Sequence, residues 1–407
     1  MEGNLYNQPV VIDNGSGNLK AGFAGEDKPK TYASAIVGRP KYPRIMTGSL
    51  LPEVNTDGGA SGGKEDTFIG NLAQEYRGLL RLNYPISHGI VENWEDMELI
   101  WNHTYQQELK INSQDHPLLI TEAPLNPRKN RDKMSQILFE SFSIPCIYIS
   151  IQAVLSLYSS GRTTGVVIDS GDGISHIVPV YEGFSLPTSI KRLDIGGRDI
   201  TEQLGYNLRR MIGVNLTSSS SEFEILRIIK ENCCFISKDP IKDEKLYSSI
   251  AYSTARNSGS YNNNENLTVY KLPDGKSLPI GVEKFRSPEI LFNPQLIGNE
   301  SAGIHDLITL AIGKTDLDLR PILYQNLILS GGNTLLKNFG DRLLLELKNS
   351  QYHQQNKMKI KIYAPPERKY STWIGGSILA GLSTFKKMWI THEEYQENPD
   401  IVHIKCL

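Results

Sequence analysis

The sequence predicts an α/β fold with two related lobes and a ligand cleft between them. Short β-branched runs alternate with amphipathic helical segments along the 407 residues, as in layered α/β domains. A unit of apolar strand, aspartate, glycine-rich turn and return strand occurs twice, at 10–23 and 165–180. Such a duplication indicates two similar halves. Ligands in these folds bind outside the strand ends, so we expect both turns to face one ligand.

The first unit starts with an apolar strand that ends at Asp13. The turn Asn14–Gly17 follows, and Leu19–Phe23 is predicted as the return strand. Glycines let the backbone approach a ligand closely, and exposed N–H groups suit phosphate oxygens. Asp13 at the rim offers hard oxygen to a divalent cation through water. Lys20, on the return strand, either neutralises phosphate or is solvated on an exposed face.

The second unit repeats this order. Val166–Ile168 is predicted as a buried strand, Asp169 closes it, Ser170–Gly173 forms the turn, and Ile174–Val180 returns. Taken alone, the turn is compatible with an ordinary hairpin. Its repetition favours a clamp that holds a phosphate chain and a cation from both sides, with Asp169 and Asp172 at the rim.

The segments between the two units alternate between helix and strand. The predicted elements are a helix at Trp94–Trp101, a strand at Pro117–Thr121, a helix at Arg128–Phe142, a strand at Ile147–Ile151 and a helix from Gln152 to Tyr158. Hydrolysis requires a water held in line with the terminal phosphate. Gln152, and His176 just past the second turn, are near enough in sequence to hold it. Helix capping and hairpin hydrogen bonding are the alternative roles of this pair.

The C-terminal half contains a third glycine turn. The predicted elements are a strand at Ile190–Ile195, helices from Asp199 and over Glu222–Phe235, a hairpin turn at Leu272–Gly275, a strand-to-glycine turn at Leu327–Thr334, a strand at Lys359–Ile362 and a helix at Tyr370–Ala380. The glycines of the third turn remove side-chain bulk, which suits a nucleotide base and ribose. Asp194, near a strand end, is a candidate for ribose or metal, with a helix N-cap as the alternative.

Two polar segments interrupt this pattern. Leu51–Asp66 is rich in Gly, Asp, Ser and Glu, and Ser248–Asn266 is rich in Ser, Asn and Tyr. Both are predicted to be flexible surface loops. Loops of this length are either functional or solvated insertions.

Composition excludes several classes of protein. The formal charge is −2, which leaves no electrostatic signature for nucleic acid. The sequence contains no run of 18 apolar residues, so no membrane-spanning segment is predicted. The N-terminal residues do not resemble a signal peptide. Cys146, Cys233, Cys234 and Cys406 fit neither a disulfide framework nor a zinc site, which favours a reducing cytosol.

Three glycine turns with Asp13, Asp169 and Asp194 favour a nucleoside triphosphate with a divalent ion.

Over essentially its whole length the chain resembles actin and its relatives. The matching motifs are Asp13–Gly17, Asp169–Gly173, Gly331-Gly332 and Trp373–Leu379. The resemblance implies a duplicated actin-like ATPase fold of two lobes and four subdomains around a nucleotide cleft. It also implies ATP or ADP with Mg²⁺ as ligands, self-association into filaments, and a cytoplasmic, cytoskeletal location. Any enzyme activity would be slow ATP hydrolysis coupled to assembly.

The resemblance also implies boundaries for the four subdomains. Subdomain 1 would comprise residues 1–34, 83–159 and 371–407; subdomain 2, with a docking loop, 35–82; subdomain 3, 160–195 and 300–370; and subdomain 4, 196–299. The docking loop is longer than actin's by the Leu51–Lys64 region. Gly196 replaces an alanine of actin.

Site residues carry over by the same resemblance. The implied nucleotide-binding residues are Asp13, Gly15, Ser16, Gly17, Lys20, Asp169, Gly171, Asp172, Gly173, Asp194, Arg227, Lys230, Glu231, Gly331, Gly332, Asn333, Leu335 and Lys369. Asp13 and Asp169 would hold Mg²⁺ through water, and Gln152 and His176 would order the attacking water. Leu336 stands where actin has an aromatic residue against the adenine, so we expect weaker base stacking.

Within the family, three stretches resemble the centractin branch, whose members build the short filament of dynactin. They are Asn7–Asp13, Pro127–Arg131 and Ser219–Ile225. The implied partners are other filament subunits, dynactin subunits, filament-capping proteins and dynein. A conventional actin-like filament subunit is the close alternative. A sugar or glycerol kinase would need an acceptor pocket with a catalytic carboxylate, and no stretch of the sequence indicates one. A chaperone ATPase would need a further peptide-binding domain.

Overall fold

The computed structural model describes residues 7–41, 67–248, 268–350 and 358–406. The predicted loop at Leu51–Asp66, and Ser248–Asn266 beyond its first residue, lie outside the described residues. No helix in these described ranges is long and apolar enough to span a bilayer.

Strands and helices alternate along the described chain. The strands are β1 Val10–Asn14, β2 Asn18–Phe23, β3 Thr31–Ser34, β4 Val37–Pro40, β5 Phe68–Ile69, β6 Leu80–Asn83, β7 Ile86–Ser87, β8 Ile90–Val91, β9 Leu118–Glu122, β10 Cys146–Ile151, β11 Gly165–Ser170, β12 Ser175–Tyr181, β13 Phe184–Ser185, β14 Lys191–Leu193, β15 Thr268–Lys271, β16 Ser277–Ile280, β17 Leu327–Ser330, β18 Ile362–Tyr363 and β19 Ile390–Thr391.

Amphipathic helices cover the sheets. They are α1 Asn71–Glu75, α2 Trp94–His103, α3 Arg128–Glu140, α4 Gln152–Ser159, α5 Gly197–Ile212, α6 Ser220–Cys233, α7 Pro240–Ser248, α8 Glu283–Arg286, α9 Ile304–Gly313, α10 Arg320–Tyr324, α11 Phe339–Asn349, α12 Ser371–Gly381, α13 His392–Glu397 and α14 Ile401–Lys405. A π-helical turn at Thr104–Leu109 continues α2, and 3₁₀ turns lie at Ser113–Asp115, Pro187–Ser189, Pro288–Leu291, Pro294–Ile297, Gly332–Leu335 and Ser383–Lys387.

The two large sheets have the same topology. The first has the order β19-β10-β9-β1-β2-β3, and the second has β13-β12-β11-β17-β18 with β14 also paired to β12. In each sheet an antiparallel hairpin, β1–β2 or β11–β12, continues into a third antiparallel strand. The first hairpin strand pairs in parallel with a later strand, β9 or β17, which pairs in parallel with β10 or β18. The predicted duplication is therefore confirmed.

Helices α4 and α12 connect the two lobes. Helix α4 leaves β10 of the first sheet and leads to β11 of the second, and α12 returns from β18 to β19. The two helices cross at Gly375, where an added Cβ would lie 1.8 Å from the carbonyl oxygen of Leu155. A glycine is required here because the backbones approach closely.

Each lobe has its own apolar core. The first core packs strands β1, β9 and β10 against α2, α3 and α12, with Trp101 and Trp373 fully buried. The indole nitrogen of Trp373 donates to the carbonyl of Val11 at 3.0 Å, which ties α12 to β1. Met97 and Trp101 lie in this core as their helical spacing predicts, whereas Trp94 is only partly buried.

Three predicted boundaries are wrong. Helix α3 ends at Glu140, since Ser143 adopts a positive φ of 51° shortly after it. Strand β14 covers only Lys191–Leu193 of the predicted Ile190–Ile195, because its pairing with β12 ends at Leu193. Strand β18 is shorter and later than the predicted Lys359–Ile362.

Candidate functional site

A cavity of about 540 Å³ opens between the lobes, at the ends of strands β1, β11 and β17. Most of the residues predicted for the site line it. They are Asp13, Gly15, Ser16, Gly17, Lys20, Gln152, Asp169, Gly171, Asp172, Gly173, His176, Arg227, Lys230, Glu231, Gly331, Gly332, Asn333, Leu335 and Lys369. The fold therefore brings together residues from three separate glycine turns and from helices α4 and α6.

The two duplicated turns touch each other across the cleft. A Cβ added to Gly17 would lie 2.7 Å from the Cβ of Asp172. A Cβ added to Gly173 would lie 2.7 Å from the hydroxyl oxygen of Ser16. The Ser16 hydroxyl accepts from the backbone N–H of Gly89 at 3.1 Å. Only glycine allows this approach, so the turns form two sides of one narrow site.

On the first lobe, Asp13 is held by three side chains. Lys20 Nζ lies 2.5 Å from Asp13 Oδ2, and the Thr121 hydroxyl and Gln152 Nε2 donate to Oδ1 at 2.9 and 3.2 Å. Burial lowers the pKa of Lys20, but the attraction of Asp13 outweighs it and the net pKa is raised. Lys20 is thus a charged ammonium in a largely buried position.

On the second lobe, Asp169 has weaker compensation. Burial, together with the negative charge of Asp13, raises the pKa of Asp169 to about 6, although Lys20 and a hydrogen bond with Ser330 oppose this. Its nearest imidazole nitrogen, Nε2 of His176, is 3.6 Å away. Two buried carboxylates thus share one ammonium, which leaves this rim of the cavity suited to a further cation.

His176 lies against the cavity as a neutral imidazole. Burial, and secondarily Arg192, lowers its pKa to about 3. Its two ring nitrogens are buried and have no hydrogen-bond partner among the described residues. A buried imidazole without partners is costly unless a water or a ligand atom fills that role. The position therefore fits a group that holds a water.

Gln152 faces the same cavity from the first lobe. Its amide nitrogen donates to Asp13 Oδ1, to the Asn14 carbonyl and to the Thr121 hydroxyl at 3.2, 3.4 and 3.4 Å. With the amide nitrogen occupied by these acceptors, the carbonyl oxygen of Gln152 remains available to accept from a water. The two predicted catalytic residues thus lie on opposite walls.

The third glycine turn joins the second. Gly331 adopts a φ of 87°, and a Cβ there would lie 2.3 Å from the Ser170 carbonyl oxygen and 2.4 Å from Asp169 Oδ1. The Asn333 amide donates to the Gly171 carbonyl at 2.6 Å and to the Ser170 hydroxyl at 3.0 Å. These bonds fix the floor of the cavity beneath Asp169.

Helix α6 forms the opposite end of the cavity. The capping box between Ser219 and Glu222 starts this helix, and its polar face turns into the cleft. Lys230 is buried and donates to the Gly197 carbonyl at 2.7 Å, and its pKa is lowered by burial. Arg227 pairs with Glu231 at 2.8 Å. Leu336 lines the same end as a partly buried aliphatic side chain.

The comparisons with known proteins agree with this architecture. The family model described as Actin matches residues 4–407. An actin-like protein of Neurospora crassa is 53% identical over 406 residues, which span all of both chains. The chain belongs to the actin family. It is therefore a member of a family of nucleotide-binding proteins with an actin-related cytoskeletal role.

One predicted site residue of this actin-family chain lies elsewhere. Asp194 does not line the cavity; its carboxylate is exposed and pairs with Arg192 at 2.6 Å. Strand β14 ends at Leu193, so Asp194 is outside the ladder and reaches the guanidinium two residues before it. The structure thus places Asp194 outside the cavity, and its contact with ribose or metal stays a prediction.

Sequence reasoning also missed residues that close the mouth of the actin-family cleft. Glu224 of α6 accepts from Gln74 at 2.6 Å and contacts the Tyr84 hydroxyl, which belongs to the other lobe. Arg198 stacks on the Tyr84 ring at 4.2 Å and pairs with Asp172 at 3.3 Å. No local sequence signal links Glu224 to its partners, because 150 positions separate it from Gln74 and 140 from Tyr84.

Thr121 was also missed, although its strand offered a signal. It lies near the carboxyl end of β9, which pairs in parallel with β1 and therefore ends at the same edge as Asp13. A hydroxyl at that position is expected to reach the carboxylate.

Proposed function

We propose that this actin-family chain binds ATP with Mg²⁺ in the cleft and polymerises into a short filament. One observation carries the nucleotide part of the proposal. Two buried carboxylates, Asp13 and Asp169, share a single lysine beneath two glycine turns that face each other. That arrangement offers backbone N–H groups to phosphate oxygens and carboxylate oxygens to a hydrated cation.

The residues present fit these ligands. A Cβ at Gly17 or Gly173 would fill the space between the turns, and the ring nitrogens of His176 lack protein partners within the described ranges. The lining turns would hold the phosphates with Ser16 and Lys20. Asp13 and Asp169 would hold Mg²⁺ through water, and the cation would neutralise phosphate charge. Arg227, Lys230, Glu231 and Lys369 would surround the ribose and base.

Any hydrolysis rests on Gln152 and His176. Neutral His176 can accept a hydrogen bond from a water, and the Gln152 carbonyl can orient the same water from the facing wall. The Asp13 contact holds the Gln152 amide, so the water's position depends on the first lobe remaining in place. We propose slow hydrolysis coupled to assembly, since no acceptor other than water is implied.

The finer proposal is a centractin-like role. The filament would be the backbone of dynactin, bound to other dynactin subunits, filament-capping proteins and dynein in the cytoplasm. It would thereby support dynein-driven microtubule transport, nuclear migration and spindle positioning. The support is the resemblance of Asn7–Asp13, Pro127–Arg131 and Ser219–Ile225 to that branch. The subdomain boundaries given above, with a docking loop within 35–82, belong to this proposal.

Negative-stain electron microscopy at rising protein concentration with Mg-ATP tests the filament role. Short, length-limited two-stranded filaments are expected. Long filaments of indefinite length would instead favour a conventional actin-like subunit. A protein that stays monomeric at every concentration would contradict self-assembly.

The binding of ATP in the cleft is tested separately, by calorimetric titration and by the melting temperature, each with and without Mg²⁺. At a thousandfold excess over the dissociation constant, bound nucleotide stabilises the fold by about 4 kcal/mol. The melting temperature should rise accordingly. A melting temperature that Mg-ATP leaves unchanged would remove the nucleotide proposal.

A further inference from the structure

A cluster of four buried hydroxyls lies beneath the cleft, at the crossing of the two inter-lobe helices. Ser156 Oγ is 3.0 Å from Ser330 Oγ and 2.9 Å from Thr372 Oγ1, and Ser330 Oγ is 3.0 Å from Ser371 Oγ. The exposed fractions of the four residues run from 0% to 6%. Hydroxyls this deep are retained only when they bond to one another or to the backbone.

The cluster joins both connections between the lobes. Ser156 lies on α4, which leads from the first sheet to the second, and Ser371 and Thr372 open α12, which leads back. Ser330 ends β17 of the second sheet. One helical turn after Ser371, Gly375 packs directly on the Leu155 backbone. A relative movement of the lobes therefore changes the distances within this cluster.

The cluster also reaches Asp169. Ser330 is the register partner of Asp169 between the parallel strands β11 and β17, so both side chains lie on the same face of the sheet, and the Ser330 hydroxyl opposes the rise in the pKa of Asp169. A continuous row of side chains thus leads from the cleft wall to the helix crossing. It consists of Asp169, Ser330, Ser156 and Thr372. Ser330 and Thr372 also line the cavity, whereas Ser156 does not.

The hydrogen bonds within this row of hydroxyls depend on Asp169, because the number of hydroxyl protons is limited. Each hydroxyl has one proton to donate. The Ser156 hydroxyl also lies 3.1 Å from the Gln152 carbonyl, and the Ser371 hydroxyl lies 3.2 Å from the Arg368 carbonyl. While the carboxylate takes the Ser330 proton, Ser330 must accept from its neighbours. When other positive groups occupy the carboxylate, that proton can turn to Ser156 instead. Hydrogen bonds arranged in series polarise one another.

We propose that Ser156, Ser330, Ser371 and Thr372 are positioning residues that orient Asp169 and couple its occupancy to the helix crossing. The inference rests on the proposed function, since it assumes that Mg-ATP binds at Asp169. Ser156 would act on the nucleotide through Ser330 and Thr372, and Thr372 through Ser156 and its own cavity-facing surface.

The decisive variant is Ser156→Ala in the full chain, with Ser135→Ala as matched control. Both serines are buried in helices and donate to the carbonyl four residues earlier, but Ser135 lies in α3 away from the cleft. The measured quantity is the ratio of ATP dissociation constants without and with Mg²⁺. In Ser156→Ala this ratio should fall about fivefold, as expected for the loss of one hydrogen bond between neutral groups. In Ser135→Ala it should equal that of the unmodified chain.

A second pair of variants separates the hydroxyl from the packing. Thr372→Val keeps the shape and removes the hydroxyl, whereas Thr372→Ser keeps the hydroxyl. The ratio should fall in Thr372→Val and recover in Thr372→Ser. A purely structural role would lower the melting temperature of Ser156→Ala and Thr372→Val while leaving the ratio unchanged, and that result would overturn the inference. If the unmodified chain itself fails to bind Mg-ATP, the proposed function fails first.

Discussion

The two aspartates that end the duplicated hairpins occupy equivalent positions but face different partners. Lys20 is the register partner of Asp13 on the neighbouring antiparallel strand, and His176 is the register partner of Asp169. Lys20 is charged, whereas His176 is neutral because burial lowers its pKa to about 3. The same backbone unit therefore holds an ion-paired carboxylate in one lobe and, in the other, a carboxylate whose charge is more weakly compensated.

The parallel neighbours of the two aspartates are alike. Thr121 donates to Asp13, and Ser330 is the register partner of Asp169, each from the strand that pairs in parallel with its hairpin. The duplication thus preserved the hydroxyl and changed the residue on the antiparallel side. This difference gives the first lobe a structural ion pair, whereas Asp169 has the greater need of the cation proposed above.

Paired Asp→Asn substitutions would test this asymmetry most strongly. Asp13→Asn should lower the free energy of unfolding by about 3–5 kcal/mol, because it leaves Lys20 as a buried charge without its partner. Asp169→Asn removes no ion pair of that kind, so the fold should persist while ATP binding in Mg²⁺ weakens at least about a hundredfold. Urea denaturation and calorimetric titration measure the two effects.

Asp194→Asn is the control for that pair. The Asp194 carboxylate is exposed and outside the cavity, so ATP affinity should match the unmodified chain. Equal losses of stability in Asp13→Asn and Asp169→Asn would show that the two lobes do not divide the roles in this way. A weaker ATP affinity in Asp194→Asn would restore that residue to the site.

The contact between the turns can be broken from one side. Gly173→Ala would place a methyl group 2.7 Å from the Ser16 hydroxyl and 3.2 Å from the His88 backbone nitrogen. Overpacking of this kind costs about 1–3 kcal/mol, so ATP affinity should fall about tenfold as the turns separate. Titration of the purified variant with Mg-ATP measures the loss.

Gly313→Ala provides the matched control for this variant, since nothing lies within 4 Å of an added Cβ at the end of α9. Its ATP affinity should be unchanged. If Gly173→Ala binds ATP as tightly as Gly313→Ala, the two turns do not clamp a common ligand.

Local patterns account for the parts of the site that could be predicted. The strand, aspartate and glycine turn are contiguous in both units, so alternation and turn chemistry identify Asp13 and Asp169 without knowledge of the fold. The same reasoning assigned Asp194 to the site, but Asp194 lies outside the cavity. The strand ends at Leu193, one residue before Asp194, and Arg192 is near enough to pair with its carboxylate. A strand boundary is decided by tertiary pairing, which a local pattern does not contain.

Contacts between distant segments could not be predicted. The Ser156, Ser330 and Thr372 cluster joins residues more than 170 positions apart, and each of these residues alone reads as an ordinary small polar residue. The contact of Tyr84 with Glu224 likewise depends on how far the lobes close. Duplication predicted that two lobes exist, but their packing against each other sets which side chains meet.

The smallest expected effect concerns the base end of the cleft, where residue 336 is a leucine and not an aromatic residue. Leu336→Tyr should tighten ATP binding about fivefold, because a base stacked on an aromatic ring gains about 1–3 kcal/mol and packing strain takes part of that gain. Inorganic tripolyphosphate lacks a base, so its affinity should be equal in both proteins. Because Leu336 also packs against the apolar clusters on either side of it, the melting temperature must be recorded without ligand. A gain for tripolyphosphate as large as the gain for ATP would place the effect at the phosphate turns and not at the base.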